Sequence, residues 1–244
     1  MHDVNNIGPR VILWFDEGPL KGLYITETVF WTLIVAAGVI VFALISARRL
    51  TRDPHGLQGV AELIVEFTYN MVTNTMGKRC IGFAPFIGAL FLFLLFGNAL
   101  GLLGFRPITA DMNTTFALAA LVFFLIQYNS IKSRGIKGYL RHFCEPYPLM
   151  LPIKVIEEFT FPISLSFRLF GNILAGVIIM ALVFSGLGYL SETVLRLPIP
   201  LLEAGFPLPL NVFFDIFEPI LQAFVFSMLT MSFIAKAIAS HEEH

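Results

Sequence analysis

Charge is what this sequence has least of. Only 14% of its 244 residues are Asp, Glu, Lys or Arg, against 57% hydrophobic. Ordinary soluble domains carry about 25% charged residues. A soluble chain this apolar would expose large adhesive patches, so the composition excludes a soluble enzyme and makes the bilayer its natural solvent. The net charge of −1 argues against a nucleic-acid partner. The two cysteines, Cys80 and Cys144, lack metal or redox spacing. Both neighbour basic segments placed below in the cytoplasm, where a disulfide is not expected. No glycine loop ending in Lys-Ser/Thr provides a nucleotide site, and no cofactor is expected. No basic leader precedes the first apolar stretch, so that stretch is expected to be retained. No internal repeat is visible, which disfavours an inverted-repeat transporter.

What is present is a series of long apolar runs. Residues 1–23 read as a polar tail. Residues 24–47 are about long enough to span and stop at Arg48, Arg49 and Arg52 before Pro54. Residues 57–75 are amphipathic. Leu57, Val60, Ala61, Ile64, Phe67 and Met71 line one face, and Gln58, Glu62, Glu66 and Asn70 line the other. That pattern predicts a helix along the membrane surface, the alternative being a helix of a small soluble lobe. Further spans are predicted at 83–105, 110–131, 151–189 and 210–240. Asn98, inside the second, reads as helix–helix glue. A basic, glycine-containing loop is expected after 131, and a connector with Pro198, Pro200, Pro207 and Pro209 before the last span. The fold class is therefore an all-α membrane protein, a single domain over 24–244, with five helices in or across the bilayer, one surface helix, and a long C-terminal hairpin. Segments 48–79 and 132–154 hold ten Lys and Arg residues; Arg10, Lys21, Arg106 and Arg196 are the four on the opposite side. The positive-inside rule then places the N-terminus outside and the C-terminus in the cytoplasm.

Two stretches carry polar chemistry inside apolar runs. In the fourth span Arg168 is the lone cation, which is costly against lipid and must face protein or water. Ser164, Arg168, Asn172 and Gly176 follow at four-residue steps, placing a fixed charge, an amide and small residues on one face. In the last span Asn211, Asp215, Glu218 and Gln222 form a stripe at offsets of four, three and four. Intramembrane carboxylates of this kind mark an ion path, the alternative being a hydrated helix end. Pro219, within the stripe, leaves the Asp215 carbonyl without its helical donor.

These residues resemble a known family. The run Pro162-Ile-Ser-Leu-Ser-Phe-Arg168-Leu-Phe-Gly-Asn172-Ile-Leu-Ala-Gly176 is similar to the core signature of subunit a of the rotary F-type ATP synthase. Gln222-Ala-Phe-Val-Phe-Ser-Met-Leu-Thr resembles that family's last helix, and Thr109-Ala-Asp111-Met-Asn113-Thr-Thr-Phe-Ala-Leu-Ala resembles the opening of its third span. The resemblance implies a proton-translocating stator subunit, itself non-catalytic. Its partners would be a ring of c subunits, peripheral-stalk b subunits, other ATP synthase subunits and membrane lipid. It gives Arg168 the role of the arginine facing the ring, between two offset half-channels, with Gln222 as neighbour and Asn172 on the path. Asp215 takes a position where relatives carry histidine or a carboxylate. Asp111, Asn113 and Glu218 would line the outer half-channel, and Glu157 and Glu158 would lie near the cytoplasmic exit. Ser164 and Asn211 join these lining residues through the stripes above. Where many relatives place a titratable group just after Gly176, this chain has Val177. A Na⁺-translocating form of the same subunit is the alternative, followed by a stand-alone transporter or channel. The resemblance leans toward bacterial and plastid relatives, and so toward a bacterial inner membrane, with the thylakoid second.

Overall fold

A computed structural model describes residues 11–14, 24–48, 56–144, 147–193 and 207–239. The first feature departs from the expected polar tail. Val11–Trp14 (β1) pairs antiparallel with Tyr24–Thr26 (β2), with an irregularity between Val11 and Leu13. The first span therefore begins at Glu27, not at residue 24. Thr26 caps it, its Oγ1 accepting from the Val29 amide, and α1 runs Glu27–Ala47. Tyr-Ile-Thr is β-branched and aromatic, which suits a strand end better than a helix start. The rest of the tail, Arg49, Arg52, Pro54, Pro198, Pro200 and the final four residues lie outside the described residues.

The remaining elements are α2 (Leu57–Met76), α3 (Ala84–Ala99), α4 (Met112–Cys144), α5 (Leu151–Thr193), α6 (Leu208–Val212) and α7 (Glu218–Ala239). Short 3₁₀ turns flank α3, at Lys78–Phe83 and Leu100–Leu103, and others precede α4 and α5. Among the described residues, five helices are long and apolar enough to cross a membrane: Glu27–Ala47, Lys78–Leu103, Met112–Arg141, Leu151–Ser191 and Leu208–Ile238. Three further features of the spans differ from expectation. The third span does not end in a loop near residue 131; helix continues to Cys144 across one non-helical residue, Gly135. The fourth is 43 residues long, with Pro162 inside it. At 1.5 Å per residue that is about 64 Å, twice the hydrocarbon thickness. The last span is interrupted by a π turn, Phe213–Phe217, between α6 and α7.

The core lies where α3, α4, α5 and α7 meet. Leu90 and Leu94, Ala119, Val122 and Ile126, Leu165 and Leu169, and Ala223, Phe226 and Ile234 pack into one buried cluster. A second cluster, Met71, Val72, Ile87 and Met231, ties α2 to α3 and α7. Thus α2 is part of the main body, not a separate lobe. Its faces also depart from the predicted amphipathic split. Gln58, from the polar face, is buried and donates to Glu62 at 2.8 Å, whereas Leu57, Val60 and Phe67 are exposed. Asn98 is buried as expected of interhelical glue, but its partner is the Thr109 hydroxyl in the turn before α4, at 2.6 Å.

Candidate functional site

The two polar stripes meet between α5 and the last span. Asn172 Nδ2 donates to Gln222 Oε1 at 2.9 Å, joining residues fifty positions apart. Gln222 is buried and Asn172 half-buried. One turn further along α5, Gly176 is buried against a ring of the π turn; a Cβ there would lie 3.0 Å from Phe214 Cδ1. Gly176 therefore permits this close approach, as small residues do between membrane helices.

Ser164, Arg168, Asn172 and Gly176 do not share one environment. Ser164 and Arg168 are exposed, Asn172 is half-buried and Gly176 buried. Four-residue steps on a helix of 3.6 residues per turn advance by about 40° each. The stripe consequently winds from the outer surface of α5 into its contact with the last span. Buried Leu165 and Leu169 lie on the inward side toward which the stripe winds, about 60° and 100° around the helix from Arg168, and hold that side of α5 in the core. Arg168 is turned outward beside exposed Phe167, and among the described residues no hydrogen bond or ion pair engages it. Exposed Val212, Phe213, Ile216, Phe217 and Ile220 continue the apolar outer surface along the last span. An outward cation flanked by apolar surface suits a partner that carries the countercharge.

The stripe of the last span is divided by the π turn. Asn211 is half-buried, Asp215 exposed and Glu218 half-buried. Glu218 Oε1 is nonetheless buried and has no hydrogen-bond partner among the described residues. A buried carboxylate oxygen of this kind calls for a proton or a water. The wide turn sits just before Pro219, which cannot donate to the Asp215 carbonyl. A widened turn is the common accommodation where the regular ladder is interrupted.

Toward the N-terminal end of α4, Asp111 is buried and fully engaged. Thr28 Oγ1 donates to its Oδ2 at 2.8 Å, Thr28 also bonds Thr26 at 2.9 Å, and the Asn113 amide donates to Asp111 Oδ1 at 3.0 Å. Asp111 thereby caps α4 and ties it to α1, a task the sequence expectation lacked. Asn113 itself is exposed. At the other end Glu157 is exposed, while half-buried Glu158 accepts a hydrogen bond from Gln127 Nε2, and the Tyr139 hydroxyl donates to Gln127 Oε1 at 2.7 Å. Between the two ends Thr115 and Ser166 share a buried hydrogen bond of 3.0 Å linking α4 to α5. Sequence reasoning missed Thr28, Thr115, Ser166, Gln127, Tyr139 and Phe214. Each is an ordinary residue whose partner is distant in sequence, on another element or, for Tyr139, across the Gly135 break in α4. Val177, the position lacking a titratable group, is exposed. Among the described residues no three His, Cys, Asp or Glu side chains converge as metal ligands. A cavity of about 650 Å³ between α1, α2 and α3, lined by Phe42, Ser46, Gln58, Glu62 and Gly88 among others, takes no residue from either stripe.

Residues 29–235 match the sequence family described as ATP synthase A chain. The chain is similar to ATP synthase subunit a of Moorella thermoacetica, with 32% identity over 233 residues, covering 95% of this chain and 98% of that protein. It is similar also to ATP synthase subunit a 1 of Hahella chejuensis, with 31% identity over 239 residues, 98% of this chain and 94% of the other.

Proposed function

The chain belongs to the ATP synthase A chain family, a multi-pass membrane protein of the enzyme's membrane sector, and on that footing we propose that it is the proton-translocating stator subunit, with Arg168 separating two offset half-channels against a ring of c subunits. The observation that carries this reading is the Asn172–Gln222 hydrogen bond one turn from Arg168, with the guanidinium left facing outward. It fixes the two polar stripes together and presents a permanent cation to whatever covers the outer surface of α5. A ring carboxylate must be neutral against lipid and ionised near water. A fixed cation favours the ionised form locally and repels a cation crossing directly between the half-channels. Arginine suits the task because it stays protonated when buried. The membrane potential supplies about 2.3 kcal/mol per charge per 100 mV.

In this assignment Asp215, Glu218, Asn211 and Asn113 lie along the outer half-channel, with Asp111 holding the start of α4 at its edge. Glu157 and Glu158 lie toward the cytoplasm. The ten-to-four distribution of basic residues supports an outer N-terminus and a cytoplasmic C-terminus. Peripheral-stalk b subunits are the remaining expected partners, in a bacterial inner membrane. The subunit carries ions and leaves the chemistry of ATP to a separate catalytic sector.

The test uses the assembled complex in sealed vesicles. Arg168→Lys should lose ATP-driven proton pumping although charge is kept, because lysine deprotonates more readily and lacks the planar fork. Arg168→Ala should in addition let protons leak through vesicles stripped of the catalytic sector, under an imposed potential. Near-normal pumping by the lysine variant, or tight vesicles with the alanine variant, would sink the central role of Arg168.

A further inference from the structure

The break in α4 brings Tyr139 to the Gln127–Glu158 pair, from which an unbroken helix would keep it apart. Gln127 and Tyr139 are twelve residues apart, about 18 Å along a straight helix, more than these two side chains bridge. Yet their hydrogen bond is 2.7 Å long. Gly135, with φ 71° and ψ 164°, folds the end of α4 back. That region of backbone space belongs essentially to glycine. No atom lies within 4 Å of where a Cβ would stand, so the demand is conformational, not one of crowding.

Held by Tyr139, the Gln127 amide is aimed at Glu158 on α5. An amide carries a donor and an acceptor on separate atoms. With Glu158 ionised, Nε2 donates to the carboxylate and Oε1 accepts from Tyr139. With Glu158 protonated, a half-turn of the amide reverses both bonds: the carboxyl donates to Oε1, and Nε2 donates to the phenol oxygen. Both states keep two hydrogen bonds to the amide; in the second the Tyr139 hydroxyl turns from donor to acceptor and its proton is released to another acceptor. Lys154 and Glu157 neighbour Glu158 along α5, Tyr139 faces it from α4 with Arg134 acting on Tyr139, and Lys132, Lys137 and Arg141 are the other charged groups on that part of α4. The turns before α4 and α5 that pack on α5, Ile108–Ala110 and Pro148–Met150, contribute none. On α7, which meets α5 at the Phe161–Phe233 ring contact, Lys236 is exposed.

We propose that Gln127 is a positioning residue that holds Glu158 in either protonation state at the cytoplasmic end of the ion path, with Tyr139 and the Gly135 break as its support. This rests on the stator reading given above. The experiment measures ATP synthesis driven by an imposed proton gradient in vesicles holding the whole complex, with subunit amount checked by immunoblot. Gln127→Met keeps length and shape but cannot donate, and should lower the rate about fivefold. Gln127→His keeps one ring donor and one acceptor, and should recover most of that loss. Tyr139→Phe, the milder change, should lower the rate by a smaller factor. Combined with Glu158→Gln, Gln127→Met should add nothing further, because its effect acts through that carboxylate. A methionine variant at the wild-type rate, a histidine variant no better than methionine, or effects that multiply independently in the double variant would each overturn the proposal. Arg168→Ala is measured alongside. If it is inactive while Gln127→Met is normal, only the role of Gln127 fails; if Arg168→Ala is normal, the stator reading itself fails.

Discussion

At the scale of single residues, Gly176 sets how closely α5 and the last span approach. A Cβ would stand 3.0 Å from Phe214 Cδ1 and 3.5 Å from Cε1 and Cγ. Phe214 is also packed edge-on against Phe213 at 5.2 Å, so its ring gives way only by small amounts. Gly176→Ala should therefore be tolerated with a modest loss of coupled transport. Gly176→Leu should separate the helices at the cost of overpacking, about 1–3 kcal/mol, and break the Asn172–Gln222 bond one turn away. ATP-driven pumping in vesicles, at matched amounts of assembled complex, is the measurement; a leucine variant that pumps normally would show that the approach at Gly176 is not needed. At this scale the sequence singled out Arg168, Asn172, Glu218 and Gln222, because a polar group in an apolar run is conspicuous against its surroundings, and the structure joins two of them, Asn172 and Gln222. It was silent on Thr115–Ser166 and Thr28–Asp111. Those bonds join residues 51 and 83 positions apart, and local periodicity carries no information on which helix a hydroxyl meets.

At the scale of elements, the π turn Phe213–Phe217 and Pro219 act as one device. A proline in mid-helix removes a hydrogen bond and crowds the preceding turn, and the widened turn absorbs both. Pro219→Ala restores the missing donor and favours a regular helix. Losing the extra residue of the wide turn would rotate Asn211 and Val212 by about 100° relative to Gln222. The expected result is assembled complex with strongly reduced ATP synthesis, and unchanged synthesis would show that the wide turn is incidental. The existence of the five spans was legible, since about twenty apolar residues in a row have few other outcomes. Their ends were less so. Gly135 and Gly138 among Lys132, Arg134, Lys137 and Arg141 resemble a loop by composition, yet the segment is helical because one glycine alone absorbs the change of direction. The inward turn of Gln58 on α2 was hidden for a related reason. Its carboxamide is satisfied by Glu62 one turn away, so burying it does not violate the polar pattern.

At the scale of the whole molecule, the proposed assignment has the polar groups trace a route across the bilayer: Asp215 and Glu218 toward the outer side, Arg168 between, and Glu158 toward the cytoplasm. Glu158 and Arg168 are ten residues apart on α5, about 15 Å, which in that reading leaves the outer entry to the last span. That entry must function without a titratable side chain at Val177, which is exposed beside buried Gly176. Glu218 has the better position, half-buried with one carboxylate oxygen unpartnered among the described residues; Asp215 is more open. A water-filled path with no titratable wall delivers protons slowly when they are scarce. Asp215→Asn should thus lower proton-driven ATP synthesis slightly, and Glu218→Gln more. The double variant should lose about a hundredfold, the scale of a removed proton-transfer group, with the deficit growing as the outer pH rises. The measurement is ATP synthesis under a fixed imposed driving force in vesicles, with the pH on the outer side of the protein varied and the cytoplasmic-side pH held constant. A double variant fully active at alkaline outer pH would show that the entry requires neither carboxylate. A deficit that instead follows the cytoplasmic-side pH would reverse the orientation inferred from the basic loops.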